Sequence, residues 1–173
     1  IFLIENPIPF KKFENLKTDK KEKKIVYFGR IHPHKNLNLL IDSFIEANLD
    51  SNWKLFIYGI PDDENYLSEL KLKIKDFQNV FIRDPIFGSQ KIKEMNTAWM
   101  NVLLSKSEVL SLSILEASNY GLPTLICSNF DTDQKRMFIF KSSISKYDIA
   151  KKIRQITNWD LKKRLNLEKN FLA

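Results

Sequence analysis

Two acidic residues, Glu108 and Glu116, lie eight positions apart where an apolar run gives way to a helical pattern. The run Asn101-Val-Leu-Leu104 has the composition of a buried strand. If that strand belongs to a parallel sheet, Glu108 follows its carboxyl end, which faces the crevice where open α/β sheets bind ligands. Glu116, in the first turns of the helix that follows, could face the same crevice. Both carboxylates are therefore candidates for ligand contact.

Two basic residues, Arg30 and Lys35, follow the first predicted strand. The guanidinium of Arg30 is a planar fork suited to two phosphate oxygens, whereas the ammonium of Lys35 is a flexible point charge. The helix that begins near Leu112 adds backbone N–H groups and a dipole that favours anions at its amino end. Together these groups could neutralise a diphosphate without a metal ion.

The spacing of Glu108 and Glu116 resembles the E-x7-E motif of the group 1 (family 4) retaining glycosyltransferases, whose GT-B fold has two Rossmann-like domains. Other stretches are similar to the family in the same order: Val26-Tyr-Phe-Gly-Arg30 with Lys35 to its donor-phosphate signature, Trp53-Lys-Leu-Phe-Ile-Tyr-Gly59 to its second strand and glycine turn, and Asn79-Val-Phe-Ile82 to its third strand. The resemblance runs from about residue 6 to about residue 156, which is most of the chain.

The resemblance implies roles for individual residues. Glu108 would accept hydrogen bonds from hydroxyls of the donor sugar, and Glu116 from the two ribose hydroxyls. Arg30 and Lys35 would join Glu108 as catalytic residues by neutralising the departing diphosphate. Further donor contacts are expected from Gly29, Arg83, Ile86, Val109, Leu110, Ser111 and Leu112. The family commonly has Gly-Phe-Gly where this chain has Val109-Leu110-Ser111, and the loss of glycine restricts φ and close approach.

The same resemblance implies a reaction. A hexose, mannose or another, would be moved with retention from a nucleotide diphosphate sugar to a cell-envelope glycan such as the lipopolysaccharide core. GDP-mannose and UDP-hexoses are the leading donors, and no metal or other cofactor is expected. The glycan or glycolipid acceptor would be held mainly by an amino-terminal domain that this chain lacks. The fragment alone is expected to bind a donor weakly and to turn over nothing.

Short β-rich apolar runs alternate with helical patterns along the chain, which predicts a Rossmann-like α/β fold with a parallel sheet between helices. The predicted strands lie near 25–29, 53–58, 80–82, 100–104 and 124–127. The predicted helices lie near 37–48, 63–76, 89–97, 112–120 and 146–157, with a last basic helix near 160–171. The chain has only four glycines and no G-x-G-x-x-G string, so the dinucleotide fingerprint is missing.

The 173 residues include 13 Phe and are 43% hydrophobic, as expected of one domain with a sizeable core. We expect residues 1–10 to be an interdomain linker and residues 11–173 to form the nucleotide-sugar-binding domain. The single cysteine, Cys127, lies in an apolar run and is expected to be a small core residue. No apolar run approaches the roughly 20 residues of a membrane span. These features favour a cytoplasmic domain, with peripheral contact at the inner face of the membrane left open.

Several alternatives remain at this point. The net charge of +7 includes basic blocks at 11–24 and 151–169, which favour solvated faces but leave open contact with anionic lipid in a non-catalytic interaction module. Nucleic acid is not expected as a partner, because the lysine block at 11–24 lacks interleaved aromatic residues. Asp131-Thr-Asp133 spells the D-x-D string of metal-dependent GT-A transferases. His32 and His34 are expected to be solvated loop residues, since they lack the further ligands of a metal site.

Overall fold

The computed structural model describes residues 20–106, 111–127 and 138–172. The six strands of this part of the chain are β1 (Lys24–Phe28), β2 (Lys54–Tyr58), β3 (Val80–Arg83), β4 (Met100–Leu103), β5 (Thr124–Cys127) and β6 (Ile139–Ser142). Its α-helices are α1 (Leu37–Glu46), α2 (Glu64–Ile74), α3 (Gly88–Thr97), α4 (Leu112–Asn119), α5 (Lys146–Thr157) and α6 (Leu161–Leu172).

The strands form one sheet in the order β3-β2-β1-β4-β5-β6, and every neighbouring pair is parallel. The predicted Rossmann-like α/β fold is therefore confirmed. β6 was not predicted, because its short Ile-Phe-Lys-Ser run is only partly buried at the sheet edge and carries little apolar signal. The chain moves outward in one direction from β1 to β3 and in the other from β4 to β6, so the order reverses between β1 and β4. Ligands of such sheets bind at this reversal.

Helices cover both faces of the sheet. Ile25 and Tyr27 of β1 pack in a large apolar cluster with side chains of α1, α2 and α5, including Leu40. The alternate residues of β1, Val26 and Phe28, pack in a smaller cluster with side chains of α3 and α4. Successive side chains of a strand point to opposite faces, and because helices cover both faces, β1 is apolar from Ile25 to Phe28. All five residues of β1 are buried, although Lys24 carries a charge.

Helix α6 is fastened to the amino end of the sheet by Arg164, whose side chain is fully buried. Its guanidinium donates to the backbone oxygen of Trp99 at 3.0 Å, to that of Gly121 at 3.1 Å and to Oε2 of Glu168 at 3.0 Å. Glu168 also pairs with Lys21 at 2.9 Å. A Cβ at Gly121, where φ is +63°, would lie 2.3 Å from Cγ of Glu168, so glycine permits this approach. The solvated face expected for residues 151–169 is thus wrong at Arg164, because backbone carbonyls and a carboxylate satisfy its donors.

Candidate functional site

A cleft of about 310 Å³ opens at the edge of the sheet where β1, β2 and β3 end. Three of its walls are the segments 28–30, 58–60 and 85–87, one after each strand. The helical residues that line it are Lys91 of α3 and Leu112, Ser113 and Glu116 of α4. Because α4 follows β4, the cleft lies across the reversal of strand order between β1 and β4.

The structure brings together part of the residue set predicted from the sequence. Those that line the cleft are Gly29, Arg30, Ile86, Leu112 and Glu116. Three more are described but do not line it: Lys35, Arg83 and Ser111. Glu108, Val109 and Leu110 lie outside the described residues, as does the predicted linker at 1–10.

Lys35 ends a single 3-10 turn, Pro33–Lys35, on the loop that carries Arg30. The next residue, Asn36, closes the turn in the left-handed conformation with φ of 57° and donates its N–H to the carbonyl of Pro33. The carbonyl of His34 accepts from the N–H of Lys106 at 2.9 Å. This bond ties the Arg30 loop to Lys106, three residues after the end of β4.

Arg83 and Ser111 contribute through neighbours of the cleft. The guanidinium of Arg83 lies 5.2 Å from the ring centroid of Phe81. The backbone oxygen of Arg83 accepts from the N–H of Gly59, a residue of the cleft lining, at 3.2 Å. Ser111 is the N-cap residue of α4, and its Oγ lies 2.9 Å from Oγ of Ser113. Ser113 lines the cleft, so Ser111 contacts a residue of the lining.

Two glycines let the loops after β1 and β2 run side by side. The N–H of Gly29 donates to the carbonyl of Tyr58 at 3.1 Å, and the N–H of Ile31 donates to that of Ile60 at 2.8 Å. A Cβ on Gly59 would lie 2.3 Å from the backbone oxygen of Gly29. That distance is a steric clash with main-chain atoms, which cannot rotate away. The Arg30 loop can therefore take this position only if residue 59 is glycine.

We expect Gly59→Ala to displace the Arg30 loop, lowering the free energy of unfolding by about 1–3 kcal/mol as overpacked sites do. Nucleotide affinity should fall with it. Denaturant unfolding and calorimetric titration measure the two effects. Gly88→Ala is the control, because a Cβ there meets no atom within 4 Å and only the φ of +52° opposes it. A Gly59→Ala variant no less stable than the Gly88→Ala variant would contradict the clash.

The amino end of α4 opens into the cleft. Ser111 makes no side-chain cap bond to the helix, and Leu112, the first helical residue, is 56% exposed. The first N–H groups of a helix have no partner within it, and the helix dipole adds partial positive charge at the same end. With the guanidinium of Arg30 on the facing loop, this end of the cleft is suited to a phosphate group.

Two ion pairs hold charged groups of the cleft. Arg30 pairs with Asp62 at 2.8 Å, and both side chains are exposed, at 67% and 44%. Lys91 pairs with Glu116 at 2.5 Å. Sequence reasoning missed Asp62 and Lys91. The available signal for Lys91 was a cation in the first turn of a helix, where the dipole disfavours positive charge.

Aromatic rings form one wall of the cleft. Phe28 and Tyr58 are stacked, with ring centroids 5.4 Å apart. Burial raises the pKa of Tyr58, and the charge of Glu94, whose Oε2 accepts a hydrogen bond from the phenol at 3.1 Å, raises it further. Burial, aided by Glu116, also raises the pKa of Tyr120. The phenol of Tyr58 therefore stays neutral at physiological pH, so it adds no negative charge to the cleft that would repel a phosphate.

The structure locates only some of the residues that raised the question of a metal. Within residues 20–106, 111–127 and 138–172, no three His, Cys, Asp or Glu side chains are grouped as metal ligands. The rings of His32 and His34 stack with centroids 5.4 Å apart, and Nδ1 of His32 accepts from the N–H of His34. Asp131 and Asp133 lie outside the described residues. Burial raises the pKa of Cys127 to about 11, which fits its predicted place in the core.

The sequence profile of the family described as "Glycosyl transferases group 1" matches residues 10–171. The chain belongs to this family, as the motifs predicted. Its fold is that of the carboxyl-terminal domain of GT-B glycosyltransferases. A comparison with curated proteins finds no match.

Solved structures show the same fold at low sequence identity. TarM of S. aureus, solved with UDP, is 23% identical with a TM-score of 0.69 over 88% of this chain and 32% of its own. WaaG, a glycosyltransferase involved in lipopolysaccharide biosynthesis, is 16% identical with a TM-score of 0.68 over 96% and 46%. The carboxyl-terminal domain of LpcC from Francisella tularensis is 19% identical with a TM-score of 0.70 over 95% and 91%. This chain thus spans about a third of TarM and just under half of WaaG.

No helix in the described part of the chain is long and apolar enough to cross a membrane.

Proposed function

We propose that this chain is the donor-binding half of a retaining glycosyltransferase that takes a hexose from a nucleotide diphosphate sugar. The observation that carries the proposal is the cleft itself, which unites the guanidinium of Arg30, the amino end of α4 and the carboxylate of Glu116 at one edge of the sheet. A nucleoside diphosphate needs two kinds of contact, cationic groups for its phosphates and an acceptor for its ribose hydroxyls. The cleft offers both.

The proposed binding mode follows the order of these groups. Arg30 and the N–H groups at the start of α4 would hold the pyrophosphate, and Glu116, one turn further along α4, would accept from the ribose hydroxyls. The base would lie toward segment 85–87, which follows β3. Gly29 allows the backbone of the Arg30 loop to approach the phosphates closely.

Chemistry would consist mainly of positioning and charge neutralisation. Breaking the bond between sugar and diphosphate leaves negative charge on the departing phosphate, and Arg30, Lys35 and the α4 dipole would stabilise it. The departing oxygen could accept the proton of the attacking hydroxyl on the same face, so that configuration is retained. Glu108 would hold hydroxyls of the donor sugar. We propose that these groups serve without a metal ion.

The nature of the sugar and acceptor belongs to the same proposal. The UDP bound in the TarM structure supports a UDP-hexose as the first donor to test, beside GDP-mannose. The role of WaaG in lipopolysaccharide biosynthesis supports a cell-envelope glycan as the product. The acceptor would be held by the amino-terminal half, with peripheral contact at an anionic membrane bringing the enzyme to a glycolipid.

The test is calorimetric titration of this chain with UDP, GDP, ADP and CDP, and with UDP-glucose and GDP-mannose, each with EDTA or Mg²⁺. We expect one base to be preferred, with equal affinity in EDTA and in Mg²⁺. Binding that disappears in EDTA would favour the metal-dependent D-x-D alternative at Asp131 and Asp133. No binding of any of the six compounds would overturn the donor-binding function and leave an interaction module.

A further inference from the structure

We propose that Lys91 is a positioning residue that fixes the carboxylate of Glu116 for the ribose hydroxyls of the donor. This inference rests on the proposed function, because it concerns how the same cleft selects its ligand. Lys91 would act through Glu116 and would not itself contact the reacting atoms. Its effect would be on affinity for the two neighbouring ribose hydroxyls, the diol.

Lys91 lies close to both an aromatic ring and the acid. Its Nζ lies 2.5 Å from Oε2 of Glu116 and 5.6 Å from the ring centroid of Phe28. Phe28 is buried, at 4% exposure, and the Lys91 side chain is only 22% exposed. The ring and the carboxylate thus both attract the ammonium. A lysine held in this way can restrict the rotation of the acid it binds.

The place of Lys91 in its own helix indicates that it does not serve helix stability. Lys91 lies in the first turn of α3, which contains no acidic residue. A cation there is opposed by the helix dipole. Glu116, which is 25 positions away in sequence, supplies the compensating charge. The ion pair therefore offsets the unfavourable interaction between the charge of Lys91 and the dipole of α3.

The position of Glu116 along α4 favours contact with the ribose rather than with the phosphates. Glu116 comes four residues after Leu112, which places it about 6 Å along the helix axis from the amino end, at 1.5 Å per residue. The phosphates belong at that amino end, because the first N–H groups of a helix have no acceptor in a preceding turn. Lys91 contacts Oε2, and no described residue hydrogen-bonds Oε1 of Glu116. That oxygen can accept a hydroxyl while the other is held.

The experiment compares ligands that differ only in the diol. The affinities of UDP and GDP are measured against those of 2′,3′-dideoxy-UDP and 2′,3′-dideoxy-GDP by calorimetry, for the wild-type chain and for Lys91→Met, Lys91→Arg and Lys93→Met. Lys93 is the matched control because it lies on the same helix and is exposed. The pyrophosphate is common to all four ligands. A general disturbance of the cleft would therefore weaken each pair equally and leave the ratio within the pair unchanged.

We expect the wild-type chain and the Lys93→Met variant to prefer the natural nucleotide by about tenfold, the size of a hydrogen bond to a charged group. In the Lys91→Met variant the preference should fall to about twofold, because a mobile carboxylate must be ordered on binding. Lys91→Arg, which keeps the cation, should retain most of it.

Two results would overturn the assignment of Lys91 while leaving the donor cleft in place. One is a Lys91→Met variant with an unchanged diol preference. The other is a Lys91→Met variant that loses affinity for natural and dideoxy nucleotides equally, which would make Lys91 a phosphate or folding residue. If the wild-type chain binds no nucleoside diphosphate, the proposed function itself fails, and the role of Lys91 fails with it.

Discussion

Replacing Arg30 with glutamate is expected to weaken nucleoside diphosphate binding by at least about a hundredfold. Its guanidinium brings a positive charge into the cleft from the loop that faces the amino end of α4. Its loss removes charge-assisted hydrogen bonds to the phosphates, and the new carboxylate repels them. Calorimetric titration with UDP and GDP measures the change. The fold should remain intact, because the side chain is 67% exposed and exposed ion pairs contribute little to stability.

Asp62→Asn is the matched control for this prediction. It breaks the same 2.8 Å ion pair but leaves the guanidinium in the cleft. The backbone N–H of Asp62 still donates to the carbonyl of Ile31, so the loop should keep its position. We expect affinity to be unchanged or about two- to threefold higher, since Asp62 no longer competes with phosphate for Arg30. If Arg30→Glu and Asp62→Asn weakened binding equally, the ion pair rather than the cation would be what matters.

Arg164→Ala should lower the free energy of unfolding by about 3 kcal/mol or more, as the loss of one partner of a buried ion pair does. The substitution leaves a cavity and removes the donors to the carbonyls of Trp99 and Gly121. It also removes one of the two cations beside Glu168. A small domain is stable by only about 5–15 kcal/mol, so this loss is large. Denaturant unfolding followed by circular dichroism measures it.

The control for Arg164 is Lys162→Ala on the same helix, where the side chain is exposed. Surface substitutions of this kind usually change stability by about 0.5 kcal/mol or less. The cleft that we propose binds the donor lies at the opposite edge of the sheet, so the folded fraction of the Arg164→Ala variant should bind nucleotides as wild type does. A loss of stability no greater than that of Lys162→Ala would show that α6 is not fastened through Arg164.

The alternation of apolar runs and helical patterns was enough to predict the parallel sheet. Five predicted strands agree with the structure to within a residue or two, because buried parallel strands are continuous apolar runs and need no distant information. The shared location of the residues that follow the strands could also be predicted. Parallel strands share one edge for their carboxyl ends, so Gly29 and Arg30 after β1 had to lie near Ile86 after β3.

Residues that act through tertiary contacts could not be found in this way. β6 has too little apolar content to be recognised as a strand from the sequence. It is identified by its pairing with β5 along its whole length. The role of Lys91 becomes visible only when α3 and α4 pack in one cluster and Lys91 contacts Glu116. Asp62 is similar, since it meets Arg30 across two loops that are 32 positions apart in sequence.

The sequence by itself therefore determined the parallel α/β fold and the family, and it predicted the edge of the sheet at which a ligand would bind. These follow from local periodicity and from motifs that lie within a few residues of a strand end. The tertiary structure alone decided which charges are paired and which are buried. Arg164 belongs to a basic segment that looks solvated, yet it is buried because two carbonyls and an acid from separate elements converge on it. The energy of an ion pair depends on the distance between the two charges in space, and the order of residues along the chain does not specify that distance.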